Sequence, residues 1–342
     1  MRINHTKYTP AEILNQRDSD PVFRFIRQWY GDAPFIEAGT SGTTGKVEKI
    51  RFTRDQFLAS ARITAGYFNL VPGSKALLCL PVEYIAGKMM IARAIALDLH
   101  LITVPVDSAP AKHLAEDIDF AAMTPMQLQN SLQFPGKMPR IKTLITGGAP
   151  VSLQLRQNLQ DIPTRIYETF GMTETLTHAA VKKLNHEGAS EFFTVLPGFS
   201  IGQDDRGCLT IKADHIRNKH VVTNDLVELH TENSFKWLGR YDNLINSGGI
   251  KHVPEVIESL AAPFIPYPFF ITGIPDEKLH QKIVLFIECS ENETEKNTII
   301  NRIGNTLETK QMPKQVFFIS RFIYTKTGKI DRKATMELVN RI

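Results

Sequence analysis

Cysteine, long apolar runs and a large net charge are all scarce in this 342-residue sequence. The three cysteines are far apart and show no CxxC or Cys/His ligand spacing, so neither a disulfide framework nor a zinc site is expected. The longest uncharged apolar run, residues 76–82, is too short to span a bilayer, and the amino terminus has no apolar signal segment. The formal net charge of +4 does not by itself predict nucleic-acid or membrane binding. We therefore expect a cytoplasmic protein without a membrane span.

An apolar content of 42% and a charged content of 22% are typical of a water-soluble globular protein, here of about two domains. Thr9-Pro10-Ala11-Glu12 predicts a helix start, because a Thr cap is followed three residues later by Glu. Helix-like and strand-like segments then alternate, which predicts helices packed on a mostly parallel sheet. The predicted helices are 21–30, 55–69, 85–97 and 152–160, and the predicted strands are 76–80, 101–104 and 141–146. Short β-like runs after residue 190, at 207–212 and 220–229, predict an antiparallel appendage.

A different pattern begins near residue 243. It contains a predicted helix from Pro254 to Leu260, a polar helix over 293–309, and strands at 269–273, 282–289 and 315–319. This pattern predicts an α+β module of about 100 residues. The predicted domains are therefore 1–242 and 243–342.

One loop has the composition of a phosphate site. Three glycines and four hydroxyl residues occupy the seven positions 39–45. Glycines let backbone N–H groups approach a ligand closely, and hydroxyls donate further hydrogen bonds to phosphate oxygens. The spacing does not match GxxxxGK[ST], so this is not a P-loop of that type.

Six further motifs follow this loop in a fixed order. The full set is TSGTTG at 40–45, GGAP at 147–150, YETFGMTE at 167–174, TND at 223–225, GRYD at 239–242, SGG at 247–249 and TGKIDR at 327–332. Together they resemble the adenylate-forming superfamily, which includes acyl-CoA and aryl-CoA synthetases, nonribosomal adenylation domains and luciferases. The resemblance implies an α/β fold, with a large amino-terminal α/β domain and a small mobile carboxyl-terminal α+β domain. It also implies an enzyme that activates a carboxylic acid with ATP and Mg²⁺ and passes the acyl group to coenzyme A.

The resemblance also assigns roles to residues. The residues implied in binding nucleotide and coenzyme A are Thr40, Ser41, Gly42, Thr43, Thr44 and Gly45 for the phosphates, Gly147, Gly148 and Ala149 for adenine, Asp225 for ribose, and Gly248 and Gly249 for the pantetheine arm. The implied catalytic residues are Thr173 and Arg240 at the α-phosphate or ribose, Glu174 as the Mg²⁺ ligand, and Lys329 as the mobile lysine. Asp242 is the implied hinge.

Four positions depart from the usual family pattern. Val47 replaces a proline and Glu48 a basic residue, Asn224 stands before the ribose-binding aspartate where glycine is usual, and Val256 replaces a glutamate. We expect the change at Val256 to be structural. Only 39 residues precede Thr40, where most relatives carry a whole subdomain, so the sequence resembles a short form of the family. A homodimer is one way to replace the missing surface.

The segment LPVEYIAGKMMIARA at 80–94 indicates which acid is the substrate. Tyr84 aligns with the aromatic or His residue that gates the acyl pocket in the family, and the segment is similar to that of short-form bacterial 2-succinylbenzoate–CoA ligases. Because that substrate carries two carboxylates and only one is activated, a cation such as Lys88 could hold the other. Arg93 is the second candidate.

Two alternatives remain open at this point. One is another acyl- or aryl-CoA ligase. The other is a nucleotide- or acyl-binding relative without catalysis, suggested by Glu48 and the missing subdomain. A small-molecule acid, ATP and coenzyme A are the expected partners of an active enzyme.

Overall fold

A computed structural model describes residues 1–15, 20–39, 49–216, 218–290, 293–325 and 330–339. The chain divides into two compact units. The first unit comprises Met1–Gly202, Thr210–Val221 and His230–Phe235, and the second comprises Gln203–Leu209, Val222–Leu229 and Lys236–Ile342. Within the described ranges, no helix has the length and apolarity needed to cross a membrane.

Side-chain caps define where several helices begin. Thr9, Thr53 and Thr124 each accept a hydrogen bond from the backbone N–H three residues later, and the Glu or Gln at that position reciprocates. These reciprocal bonds satisfy N–H groups that lack an intrahelical partner. The α-helices of the described ranges are α1 (Pro10–Leu14), α2 (Pro21–Tyr30), α3 (Arg54–Phe68), α4 (Ile85–Leu97), α5 (Pro125–Ser131), α6 (Leu153–Asn158), α7 (Pro254–Ala261), α8 (Glu293–Gly304) and α9 (Arg332–Val339).

The strands of the described ranges form three sheets. They are β1 (Arg2–Ile3), β2 (Thr6–Lys7), β3 (Ile36–Gly39), β4 (Lys49–Phe52), β5 (Lys75–Leu78), β6 (His100–Thr103), β7 (Ile118–Met123), β8 (Ile141–Thr146), β9 (Arg165–Gly171), β10 (His178–Lys183), β11 (Phe193–Val195), β12 (Ser200–Gln203), β13 (Cys208–Lys212), β14 (His220–Thr231), β15 (Ser234–Arg240), β16 (Ile245–Ser247), β17 (Ile250–His252), β18 (Phe269–Asp276), β19 (His280–Glu288) and β20 (Gln315–Ile319). The largest sheet has the order β12-β13-β14-β15-β11-β10-β9-β8-β7-β5-β6-β1-β2.

The centre of this sheet is parallel. Strands β9, β8, β7, β5 and β6 pair in parallel in that order. Almost every residue of β7 and β8 is buried, as expected for parallel strands with both faces covered. The pairing becomes antiparallel at β10 and β11, earlier in the chain than the predicted change after residue 190.

The second unit contains a smaller sheet of order β17-β16-β19-β18, with β20 parallel to β19. Strands β18 and β19 form its centre through eight antiparallel pairs, from Phe269 opposite Ile287 to Asp276 opposite His280. Ile271 and Leu285 belong to one apolar cluster of this unit, and Phe270 and Phe286 belong to another. Successive side chains of a strand point to opposite faces of the sheet, so each face of this sheet carries its own apolar cluster.

The predicted α/β fold class is confirmed, and α2, α4, β8 and β20 begin and end at the predicted residues. Helix α8 is shorter than predicted and ends at Gly304 rather than at residue 309. Gly304 and Asn305 are weak helix formers, and the chain turns there so that Leu307 is buried in the core. The structure also contains a β3–β4 hairpin that the sequence did not predict.

Candidate functional site

The β3–β4 hairpin brings together the two ends of the predicted phosphate loop. Gly39 pairs with Lys49 across the hairpin, whereas Thr40, Ser41, Gly42, Thr43, Thr44 and Gly45 lie outside the described residues. Gly39 also forms a parallel bridge with Tyr84. The Lys88 ammonium donates to the backbone carbonyl of Glu37. The start of the loop and both predicted acyl-site residues therefore meet in the first unit.

The order of the parallel strands locates a ligand-binding edge. Strand β6 lies on one side of β5, whereas β7, β8 and β9 follow on the other, so the order in which strands are added to the sheet reverses between β5 and β7. In open α/β sheets, ligands bind outside the carboxyl ends of the strands at such a reversal. The predicted residues Gly147, Gly148 and Ala149 follow the carboxyl end of β8, and Thr173 follows that of β9.

Close packing explains the glycine at the start of the β8 turn. A Cβ at Gly147 would lie 2.1 Å from the Thr169 hydroxyl oxygen, which donates to the carbonyl of Thr146 at 3.1 Å. Gly148 has φ +87°, a conformation that favours glycine. These two positions give the turn a flat backbone surface without side chains.

Thr173 and Glu174 lie in a tight turn after β9. Thr173 is buried, and its carbonyl accepts the N–H of Leu176, which has φ +64°. Glu174 is exposed, and its carboxylate makes no hydrogen bond or ion pair within the described residues. Mg²⁺ commonly takes one or two protein carboxylates and completes its shell with phosphate and water oxygens, so Glu174 fits that metal.

In the second unit, three predicted residues form one network. The Asp225 carboxylate accepts hydrogen bonds from Trp237 Nε1 at 2.9 Å and from Arg240 Nη1 at 3.4 Å. Arg240 Nη2 donates to Asp242 at 2.8 Å. The guanidinium of Arg240, the predicted phosphate residue, thus joins Asp225, the predicted ribose residue, to Asp242, the predicted hinge.

Asn224 and Arg206 extend this network. The Asn224 amide donates to both carboxylate oxygens of Asp242, at 3.1 and 3.2 Å, and accepts from Arg206 at 2.9 Å. Arg206 also lies 5.0 Å above the Tyr241 ring. Asn224 was visible in the sequence as a departure from the family pattern, but nothing in the sequence marked Arg206.

Gly248 and Gly249 form the two-residue turn between β16 and β17, with φ +60° and +80°. A hairpin turn of this length favours positive φ at both central residues, which accounts for the Gly-Gly pair by backbone geometry. Their predicted role at the pantetheine arm stays a prediction.

Lys329 lies outside the described residues, but its motif continues into an ion-pair cluster in the second unit. Arg332 donates to Glu258 at 2.9 Å and to the carbonyl of Ile271 at 3.1 Å, and lies 3.8 Å from the carboxylate of Glu255. Burial raises the pKa of Glu258 to about 7.

Buried Arg93 and buried His178 both contact the Thr177 hydroxyl in the first unit, and only Arg93 was among the predicted residues. Arg93 on α4 is 2% exposed, donates to the Thr177 hydroxyl at 3.0 Å, and lies 5.9 Å from the centre of the Phe120 ring. Its Nε and the Nε2 of buried His178 have no hydrogen-bond partner in the described structure. Burial lowers the pKa of Arg93 to about 10, and burial followed by the charge of Arg93 lowers the pKa of His178 well below its usual value.

Comparison with known proteins identifies the class of this protein. A family model described as AMP-binding enzyme matches residues 39–197. The crystal structure of an acyl-CoA synthetase (AMP-forming)/AMP-acid ligase II-like protein from Dyadobacter fermentans is 38% identical, covers 97% of this chain and 99% of its own, and superposes with a TM-score of 0.64. The chain belongs to this family of AMP-forming acyl-CoA synthetases. It is an acid–thiol ligase that acts through an acyl-adenylate, as the sequence predicted.

More distant relatives differ in the acid they take. The long-chain-fatty-acid–CoA ligase FadD13 of Mycobacterium tuberculosis is 23% identical over 94% of this chain and 72% of its own. The 2-succinylbenzoate–CoA ligase of Staphylococcus epidermidis is 24% identical over 86% of this chain and 68% of its own. The O-succinylbenzoate coenzyme A synthetase of Bacillus subtilis, solved with ATP and magnesium, is 18% identical, covers 88% of this chain and 69% of its own, and has a TM-score of 0.72.

Proposed function

We propose that this protein joins 2-succinylbenzoate to coenzyme A, using ATP and Mg²⁺, in menaquinone biosynthesis. The resemblance of the segment at 80–94 and the succinylbenzoate ligases among the relatives support this assignment. The observation that carries it is the buried Arg93, for which the described residues supply no carboxylate partner within ion-pair distance.

A buried charge without a counterion is costly, so a ligand that brings the opposite charge gains much of its affinity there. Arg93 is held by neutral partners, Thr177 and Met90, and keeps Nε unpaired. The adjacent buried His178 has its Nδ1 3.1 Å from the Thr177 hydroxyl, and its Nε2 also has no hydrogen-bond partner in the described structure. Arg93 Nε is therefore a buried donor without an acceptor, and a substrate carboxylate would satisfy it.

The unpaired Nε of buried Arg93 makes Arg93, rather than Lys88, the carboxylate-binding residue of this proposal. The Lys88 ammonium already donates to the Glu37 carbonyl, and burial lowers the pKa of Lys88. In this assignment Lys88 supports the base of the phosphate loop, and Arg93 holds the carboxylate that is not activated.

The remaining predicted residues act on the nucleotide in this proposal. Thr40–Gly45 and Thr173 donate to phosphate oxygens, Asp225 accepts from the ribose, and Arg240 and Lys329 stabilise the charge that develops at the α-phosphate. Glu174 would hold Mg²⁺, which neutralises phosphate charge. Rotation at Asp242 would then exchange Lys329 for Gly248 and Gly249 before the acyl group passes to the thiol.

The test compares Arg93→Met with Lys88→Met. In Arg93→Met, the KM for 2-succinylbenzoate should rise about tenfold to a hundredfold, because a charge-assisted hydrogen bond contributes roughly 1.5–3 kcal/mol. Activity on a monocarboxylic aromatic acid should stay equal or improve. Arg62→Met, which changes an exposed arginine on α3, is the matched control. A stronger effect on the diacid in Lys88→Met than in Arg93→Met would return the role to Lys88.

The match to FadD13 favours a second candidate, a ligase for another acyl or aryl acid. Pyrophosphate release with coenzyme A and a panel of acids separates the two. Turnover of monocarboxylic acids with no response to 2-succinylbenzoate would reject the proposed substrate while leaving the ligase activity intact.

A further inference from the structure

We propose that Glu168 and Lys182 are positioning residues for the nucleotide, acting by fixing the turn that contains Gly147, Gly148 and Ala149. The inference rests on the proposed adenine-binding role of that turn. Glu168 belongs to the motif YETFGMTE at 167–174, which gives it no role of its own, and Lys182 lies outside all seven motifs.

The two side chains form a nearly buried ion pair across neighbouring strands. Lys182 on β10 lies opposite Glu168 on β9, and the Lys182 Nζ is 2.8 Å from the Glu168 Oε2. The two side chains are 15% and 8% exposed. Lys182 Nζ also lies 4.6 Å above the Phe193 ring on β11. The antiparallel register therefore fixes where the carboxylate stands.

The second oxygen of this carboxylate holds the end of the turn. Glu168 Oε1 accepts the backbone N–H of Val151 at 3.0 Å, and Val151 comes directly after GGAP at 147–150. At the other end, Thr169 donates to the carbonyl of Thr146 at 3.1 Å. Two consecutive residues of β9 thus hold the residues on either side of the four-residue turn.

The ion pair explains why a carboxylate can serve at this position. A buried carboxylate is tolerated only when a charge and hydrogen bonds compensate it, and removal of one partner leaves the other uncompensated. Without Lys182, the buried Glu168 carboxylate loses its counter-charge and is drawn toward water, which weakens its bond to Val151. The position of the turn consequently depends on a lysine that need not touch the nucleotide.

The experiment measures the local stability of the turn and the affinity for the nucleotide separately. In Lys182→Met, hydrogen exchange of the Val151 amide in the ligand-free protein should accelerate about tenfold or more. The Kd of AMP, measured by calorimetry, should rise about tenfold. The kcat at saturating ATP and the KM of the acid should stay near the wild-type values, because the reacting groups are unchanged.

Two variants serve as controls. Lys183→Met alters the neighbouring lysine, which donates to the Glu187 carbonyl, and should leave both measurements unchanged. Lys182→Arg keeps the charge and should recover most of the AMP affinity. A Kd unchanged in Lys182→Met would overturn the positioning role while leaving the nucleotide site intact. A wild-type protein that binds no AMP would overturn the adenine-binding role of the turn and the inference with it. Loss of kcat together with affinity, in a protein of lowered Tm, would show a purely structural effect and overturn the inference.

Discussion

The first unit of this ligase contains a buried arginine and the second a partly buried one, and the surroundings of the two arginines are opposite. Arg332 in the second unit faces the carboxylates of Glu258 and Glu255 and donates to a backbone carbonyl. Arg93 in the first unit faces a hydroxyl, a thioether and an aromatic ring, with no carboxylate of the described structure in ion-pair range. The Arg332 side chain is 26% exposed and Arg93 is 2% exposed, and only Arg332 has its charge compensated by carboxylates of the described chain.

This difference separates a charge that stabilises the fold, here called an architectural charge, from a charge that is available to bind a ligand. A compensated ion pair resists loss of either member, because the survivor is left buried and unpaired. An uncompensated cation instead gains from a ligand, and its replacement by an apolar side chain removes a desolvation cost. The two arginines should therefore respond in opposite ways to the same substitution.

The largest expected effect is on the stability of the second unit in Arg332→Met. Loss of the guanidinium leaves two carboxylates close together in a partly buried site, which should lower the free energy of unfolding by about 3 kcal/mol at pH 7. Chemical denaturation measures the loss, and hydrogen exchange in β18 and β19 assigns it to this unit. Lys333→Met, at the exposed neighbouring position, is the control and should have little effect. Equal stability of the two variants would contradict the ion-pair argument.

A smaller effect is expected in the pH dependence of the same unit. Burial raises the pKa of Glu258 to about 7 in the folded protein, whereas an ordinary glutamate titrates near 4.5. The folded state therefore holds the extra proton between these values, and stability falls as pH rises from about 5 to 7, by about 1–3 kcal/mol. Denaturation at pH 5, 6 and 7 should show a flatter profile in Glu258→Gln. An unchanged slope would assign the titration to another group.

The sequence predicted the parts of this fold that depend on local signals. The bounds of α2 and α4 follow from apolar spacing, and the start of α1 follows from the Thr9 and Glu12 pair. Thr124 and Gln127 carry the same capping signal at the start of α5, a helix outside the predicted set.

In the candidate site, too, the sequence predicted the residues that belong to local motifs and did not predict those that only the tertiary structure brings together. The motifs indicated Asp225, Arg240 and Asp242, because each of these residues occupies a fixed position in a family motif. The structure joins the three in one hydrogen-bonded network. Motifs did not indicate that Lys182 lies opposite Glu168, since strand register is a tertiary property. They also gave no sign that Arg93 is almost fully buried.

The smallest expected effect is on the stability of the first unit in Arg93→Met. The substitution removes the bond to Thr177 and the contact with Phe120, together worth about 1–2 kcal/mol, but it also removes a buried cation that the described chain leaves without a counterion. The free energy of unfolding of the ligand-free protein should therefore stay within about 1 kcal/mol of the wild-type value, as in the Arg62→Met control. Added 2-succinylbenzoate should raise the unfolding midpoint of the wild-type protein and of the control, and should not do so in Arg93→Met. A loss of about 3 kcal/mol without ligand would instead place Arg93 with Arg332 as an architectural charge, and the contrast between the two units would disappear.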